Sequence, residues 1–173
     1  MHATHGTGFE VEIGSCAVTR GDSDLFIPHL ASGLAVCVHD GGEVAGLAYA
    51  LRGRSTPDER AAVLRPATFV DLALPELALR LDERGARPER AAILVGGAVG
   101  PGWRRPRSTA DEAIAVARAL LAELGVPVVH EILGGSLGRM LVLNGHGRLR
   151  IDDARLRGQR FGFVASAAQG GTA

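Results

Sequence analysis

Apolar and polar residues alternate along FEVEIGSCAVT, residues 9–19. That is the period of a half-buried strand, so the stretch predicts one or two β-strands. The polar RGDSD after it reads as a turn. Two short apolar runs follow, LAVCV at 34–38 and VAGLAYAL at 44–51, separated by a segment containing Asp-Gly-Gly. This pattern predicts a β-hairpin. Beyond a polar loop, RGRSTPDER, the spacing of Phe69, Val70, Leu74, Leu77 and Leu81 predicts a helix over 67–83 with one buried face. Pro75 falls inside it, so the helix either starts there or kinks there. The Gly and Pro of ERGARP end it.

AAILVGGAVG reads as a strand running into a glycine turn. Ser108 is placed to cap a second helix, with Asp111 three residues on as a capping-box variant. Its expected buried stripe is Ile114, Ala117, Leu121 and Leu124, and Gly125 ends it. VPVVHEIL predicts a strand, GGSLG a turn, and RMLVL-NGHG-RLRI a second hairpin. Residues 1–7 and 153–173 read as terminal extensions, the latter with an Arg-rich, helix-compatible start. No linker or internal repeat divides the chain. The pattern predicts one α/β domain over 8–152, strand-rich at both ends, with two main helices.

A chain of 173 residues is long enough to bury a core without staples. Its formal net charge of zero gives no general pull toward nucleic acid or anionic membrane. All 19 basic residues are arginine, which excludes Schiff-base lysine chemistry and the P-loop lysine. Two cysteines do not make a disulfide framework. The N-terminal residues lack the basic and apolar regions of a signal peptide, and no apolar run approaches the roughly 18 residues of a membrane span. The expectation is a soluble, cytoplasmic protein.

No metal box is present: there is neither H-E-x-x-H nor a cysteine pair at ligand spacing, and no cofactor is expected. VGGAVGPGW lacks the spacing of a phosphate cradle. His2 and His5 lie in the N-terminal extension, His39 at a strand end or hairpin turn, and His130 at a strand edge. WRRPR, with Trp103, Arg104 and Arg105, is either a solvated loop before a helix or a contact patch for an acidic partner.

Several segments, in order, resemble the CheD family of chemoreceptor glutamine deamidases. IGSCAV at 13–18 fits the family's first strand. HLASGLAVCVHD at 29–40 aligns without a gap on its nucleophile segment, Gly-Leu-Gly-Ser-Cys-Val-Ala-Val-Cys-Leu-Tyr-Asp. AGLAY at 45–49 matches its next strand, and 67–83, with Asp71, its first helix. VGGA at 95–98 echoes a Phe-Gly-Gly-Ala turn, and Gly134, Gly135, Gly138 and Arg139 carry its Gly-Gly-x-x-Gly-Arg signature. The resemblance implies a single-domain α/β sandwich with mixed β-sheets and two main helices. It also implies a receptor or adaptor protein as partner, a chemoreceptor or a CheC-like phosphatase.

In that family a Cys attacks a glutamine side-chain amide, a His activates the thiol and a Thr supports the site. Carried over by position, the Cys falls on Gly33, the His on Tyr49 and the Thr on Ile27. A glycine has no nucleophile, and a phenol titrating near ~10 is a poor base at neutral pH. The resemblance therefore implies a binding protein that has lost catalysis, with Ser32, Gly33, Tyr49 and the Trp103–Arg105 loop as candidate binding residues. The alternative is an active amidase with a rearranged nucleophile, Cys16, Cys37 or Ser32. Cys37 lies four residues beyond Gly33, roughly 13 Å along an extended strand, and reads as a buried strand thiol. Cys16 reads as a small core residue on another strand. Ser32 has His29 three residues before it but no evident acid partner. A third possibility is a shared scaffold serving an unrelated small-ligand role around Gly33 and Tyr49.

Overall fold

The computed structural model describes residues 8–96, 107–135, 138–152 and 159–163, with backbone only at 107 and 108. The strands are β1 (Gly8–Glu10), β2 (Ser15–Arg20), β3 (Asp24–Leu30), β4 (Leu34–His39), β5 (Val44–Ala50), β6 (Ala91–Gly96), β7 (Val128–Leu133), β8 (Arg139–Asn144), β9 (Leu149–Asp152) and β10 (Gln159–Phe161). The helices are α1 (Arg60–Leu64), α2 (Val70–Glu83) and α3 (Arg107–Glu123), with a 3-10 turn at Pro66–Thr68. The strands form two mixed sheets, β1-β3-β8-β9-β10 and β2-β5-β4-β6-β7.

The alternation of β4 and β5 explains how the layers stack. Leu34, Val36 and Val38, with Val44, Ala48 and Ala50, join Leu74, Leu77 and Leu81 of α2 and Val116, Ala117 and Leu121 of α3 in one core. Ala35, Cys37, Ala45, Leu47 and Tyr49 point the other way and meet Leu25, Ile27, Leu141, Leu143 and Ile151 of the first sheet in a second core. The β2-β5-β4-β6-β7 sheet is thus buried on both faces, which is why its central strands read as continuous apolar runs. The molecule is a helix layer, a covered sheet and an outer sheet.

Both expected hairpins form, β4–β5 and β8–β9, each antiparallel. The predicted α2 stripe is buried from Phe69 to Leu81. Other expectations need correction. The 9–19 stretch forms two strands, as the pattern allowed, in different sheets, but β1 is exposed throughout rather than half-buried. Helix α2 begins at Val70 rather than Ala67, because the Val70 and Asp71 amides donate to the carbonyls of Arg52 (2.8 Å) and Gly53 (3.1 Å). Pro75 neither starts nor ends it; the ring sits exposed in the helix interior. Helix α3 begins at Arg107, so Ser108 lies within the helix rather than before it. Its buried stripe is Ala113, Val116, Ala117 and Leu121; Ile114 is half-buried and Leu124 is 46% exposed. The pattern gave no sign of β3, α1 or β10, the last of which extends the outer sheet beyond β9.

Asp40 holds the β4–β5 hairpin together. One carboxylate oxygen accepts from the Gly42 amide (2.7 Å) and the Val44 amide (3.1 Å), and the other from the Arg87 amide (3.0 Å) in the loop before β6. Burial works against the charge, but the three amides, with His39 nearby, hold the carboxyl below its ordinary value. A carboxyl depressed in the folded state adds stability above its unfolded pKa, and that contribution is lost as pH falls through the folded value. Asp40→Asn is therefore expected to cost about 1–2 kcal/mol at pH 7. In thermal melts, the gap from wild type should shrink as the pH falls below the carboxylate range. A gap that is constant with pH would contradict this role.

Candidate functional site

Gly33 is the last residue of the β3–β4 connection, and Tyr49 lies in neighbouring β5. They are brought together. A Cβ at Gly33 would lie 3.0 Å from Tyr49 Cε2, 3.0 Å from Leu51 Cδ2 and 2.7 Å from the Ala50 carbonyl oxygen. The Tyr49 hydroxyl donates to the Ser32 carbonyl at 3.4 Å, fastening the ring against the 31–33 turn. Ile27 of β3 is buried in the same inter-sheet core as Tyr49.

Gly33 has φ +120°, a conformation that side-chain-bearing residues avoid. Close approach adds a second reason for glycine there. Gly96, at the end of β6, has φ +143°, and a Cβ on it would come within 2.3 Å of the Gly33 carbonyl oxygen. The two glycines let β4 and β6 pair to their ends, where Leu34 opposes Gly96. Position 33 thus lacks a side chain and has a backbone to match.

Arg139, which opposes Leu30 in the β3–β8 pairing, reaches this end of the sheets from the outer layer. Its buried guanidinium donates to the carbonyls of Gly134 (2.7 Å), Ile132 (3.2 Å) and Gly96 (3.4 Å). It therefore joins the end of β7, the end of β6 and the start of β8. Gly138 lies beneath the exposed His29 ring, where a Cβ would come within 2.3 Å of the imidazole. Sequence reasoning did not place Gly96 or Arg139 at the site. The motifs containing them were visible, but their meeting depends on the sheet order.

The two cysteines lie away from Gly33 on opposite faces of one sheet. Cys16 of β2 faces the helices and Cys37 of β4 faces the outer sheet. Burial pushes both thiols up, Cys37 far above the ordinary range. For Cys16, the Arg80 charge pulls the other way but is outweighed. A thiol kept protonated is a weak nucleophile. Ser32 is half-buried, and among the described residues no hydrogen bond joins it to His29. Trp103, Arg104 and Arg105 lie outside the described residues. Among the described residues, no three His, Cys, Asp or Glu side chains are grouped to hold a metal ion. No helix among them is long and apolar enough to cross a membrane.

Comparison with known proteins bears on this arrangement. Residues 53–152 match the family described as CheD chemotactic sensory transduction, a span that begins after Gly33 and Tyr49. Pairwise similarity reaches further. A probable chemoreceptor glutamine deamidase CheD of Methanococcus maripaludis strain C6 is 32% identical over 140 residues, covering 78% of this chain and 87% of the relative. One from Anaeromyxobacter dehalogenans is 31% identical over 118 residues, covering 66% of each chain. One from Clostridium botulinum is 26% identical over 140 residues, covering 78% of this chain and 85% of the relative. The family match spans more than half of the chain, and the relatives extend the likeness: the chain belongs to the CheD family.

Proposed function

We propose that this chain is a CheD-family protein that engages a chemoreceptor or an adaptor such as a CheC-like phosphatase, and does not deamidate it. The observation that carries this reading is Gly33. It stands beside Tyr49, where the family resemblance puts the nucleophile; at its φ of +120°, a Cβ would meet the Ala50 carbonyl oxygen at 2.7 Å, so a thiol-bearing side chain there would be strained. The neighbouring phenol donates to a backbone carbonyl instead of facing a nucleophile. The raised thiols of Cys16 and Cys37 weigh against a relocated cysteine.

The test uses the full chain with a glutamine-bearing cytoplasmic fragment of a chemoreceptor. Binding without the mass gain of amide-to-acid conversion is the expected result, together with slow alkylation of both cysteines under native conditions. A mass gain abolished by Cys37→Ala, Cys16→Ala or Ser32→Ala would overturn the non-catalytic reading and identify the rearranged nucleophile.

A further inference from the structure

Helix α1 buries none of its five residues. A helix this short is far below the ~12–15 residues at which isolated helices become even marginal, so ordering normally depends on packing an apolar face. The apolar residues of α1 instead face outward. Val63 is 79% exposed and Leu64 67% exposed, and Ile13, 39% exposed, lies in the turn to which α1 is tied. The tie is Arg65, whose guanidinium donates to the Ile13 carbonyl at 3.2 Å and whose Cβ would lie 3.2 Å from a Cβ on Gly14.

Residues 52–65 hold four arginines against two carboxylates, with Glu12 beside the Ile13 turn, Asp71 bonded to Ser55 and Glu112 against Gly53. Arg52 pairs with Glu59, and Arg65 reaches Glu12 at 3.9 Å. Among the described residues, Arg54 and Arg60 have no ion-pair partner. The patch adjoins the Gly33–Tyr49 site: the Gly14 amide donates to the Tyr49 carbonyl (2.8 Å), and the Thr68 carbonyl accepts from Leu51 (2.9 Å) and Arg52 (3.1 Å).

We propose that α1 and the Ile13 turn form a docking surface for an acidic amphipathic helix of another protein. The proposal rests on the protein-binding reading above and names the surface and the partner's chemistry. A helix of that kind presents an apolar stripe to Val63, Leu64 and Ile13, with flanking carboxylates for Arg54 and Arg60. Nucleic acid suits the patch less well, because none of the side chains that form it is aromatic and able to stack on bases. Exposed apolar side chains among unpaired cations, next to the site, fit one acidic partner best.

The test measures fluorescence anisotropy of a labelled helical peptide of about 20 residues, roughly 30 Å long, with Leu on one face and Glu elsewhere. A Lys-for-Glu peptide is the control. The Glu peptide should bind and the Lys peptide should not. The variants V63S/L64S and R54E/R60E should each weaken binding by about tenfold or more with unchanged melting temperature, since exposed positions carry little stability. Unchanged affinity in both variants, or equal binding of the Lys peptide, overturns the proposal. So does binding only to vesicles of anionic phospholipid, or self-association that V63S/L64S abolishes. A chemoreceptor fragment bound equally by wild type and V63S/L64S removes this surface but leaves the proposed function standing. Glu-peptide binding at α1 without binding of any chemoreceptor fragment or CheC-like phosphatase does the reverse.

Discussion

Gly96→Ala is expected to destabilise the fold by about 3 kcal/mol or more, in the upper part of the range for single substitutions. The new methyl group would lie 2.3 Å from the Gly33 carbonyl oxygen and 3.2 Å from the Leu34 Cα. Those are backbone atoms where the chain enters β4, a strand paired on both sides, so no side chain can swing away. Relief would require separating β4 from β6 where Leu34 opposes Gly96. The φ of +143° adds conformational strain to the overlap. Gly33→Ala meets the Ala50 carbonyl at 2.7 Å with φ +120° and should cost about 1–3 kcal/mol. Urea unfolding of the three proteins would measure both effects. A Gly96→Ala midpoint equal to that of wild type would show that the two strand ends do not approach as described. The same geometry predicts that Gly33→Cys alone gives a destabilised protein rather than a restored enzyme.

Arg139→Leu is expected to cost about 3 kcal/mol, because it removes the donor for three carbonyls at the ends of β6 and β7. Leucine replaces the apolar stem but not the planar fork of donors. Arg139→Lys should recover only part of the loss, since an ammonium cannot reproduce the geometry that spans Gly96, Ile132 and Gly134. Thermal unfolding ranks the three proteins. A lysine variant as stable as wild type would reduce Arg139 to a simple positive charge.

What the sequence revealed and what it hid follow from where each signal comes from. Strands β4 and β5 and helix α2 bury regular apolar positions, so their periodicity shows directly. Strand β3 hides behind Asp24, Pro28 and His29; its pairing with β8 is irregular between Ile27 and Leu30, around that proline. Helix α1 buries nothing and so carries no apolar period. Matching motifs put Gly33 and Tyr49 at equivalent family positions, but a motif does not encode a φ angle. Nor could it show that Gly96, from a distant segment, occupies the space against the Gly33 carbonyl. That contact is made by the sheet order, in which β6 pairs directly with β4.

The opposite facing of Cys16 and Cys37 governs how the chain responds to oxidants. Strand β5 separates the strands that carry them, placing the backbones roughly 10 Å apart, with the side chains directed into different cores. A disulfide needs α-carbons within about 7 Å and converging side chains. Joining these two would mean tearing the covered sheet, so an oxidising environment has no intramolecular crosslink to make. The fold carries two thiols and no redox switch between them.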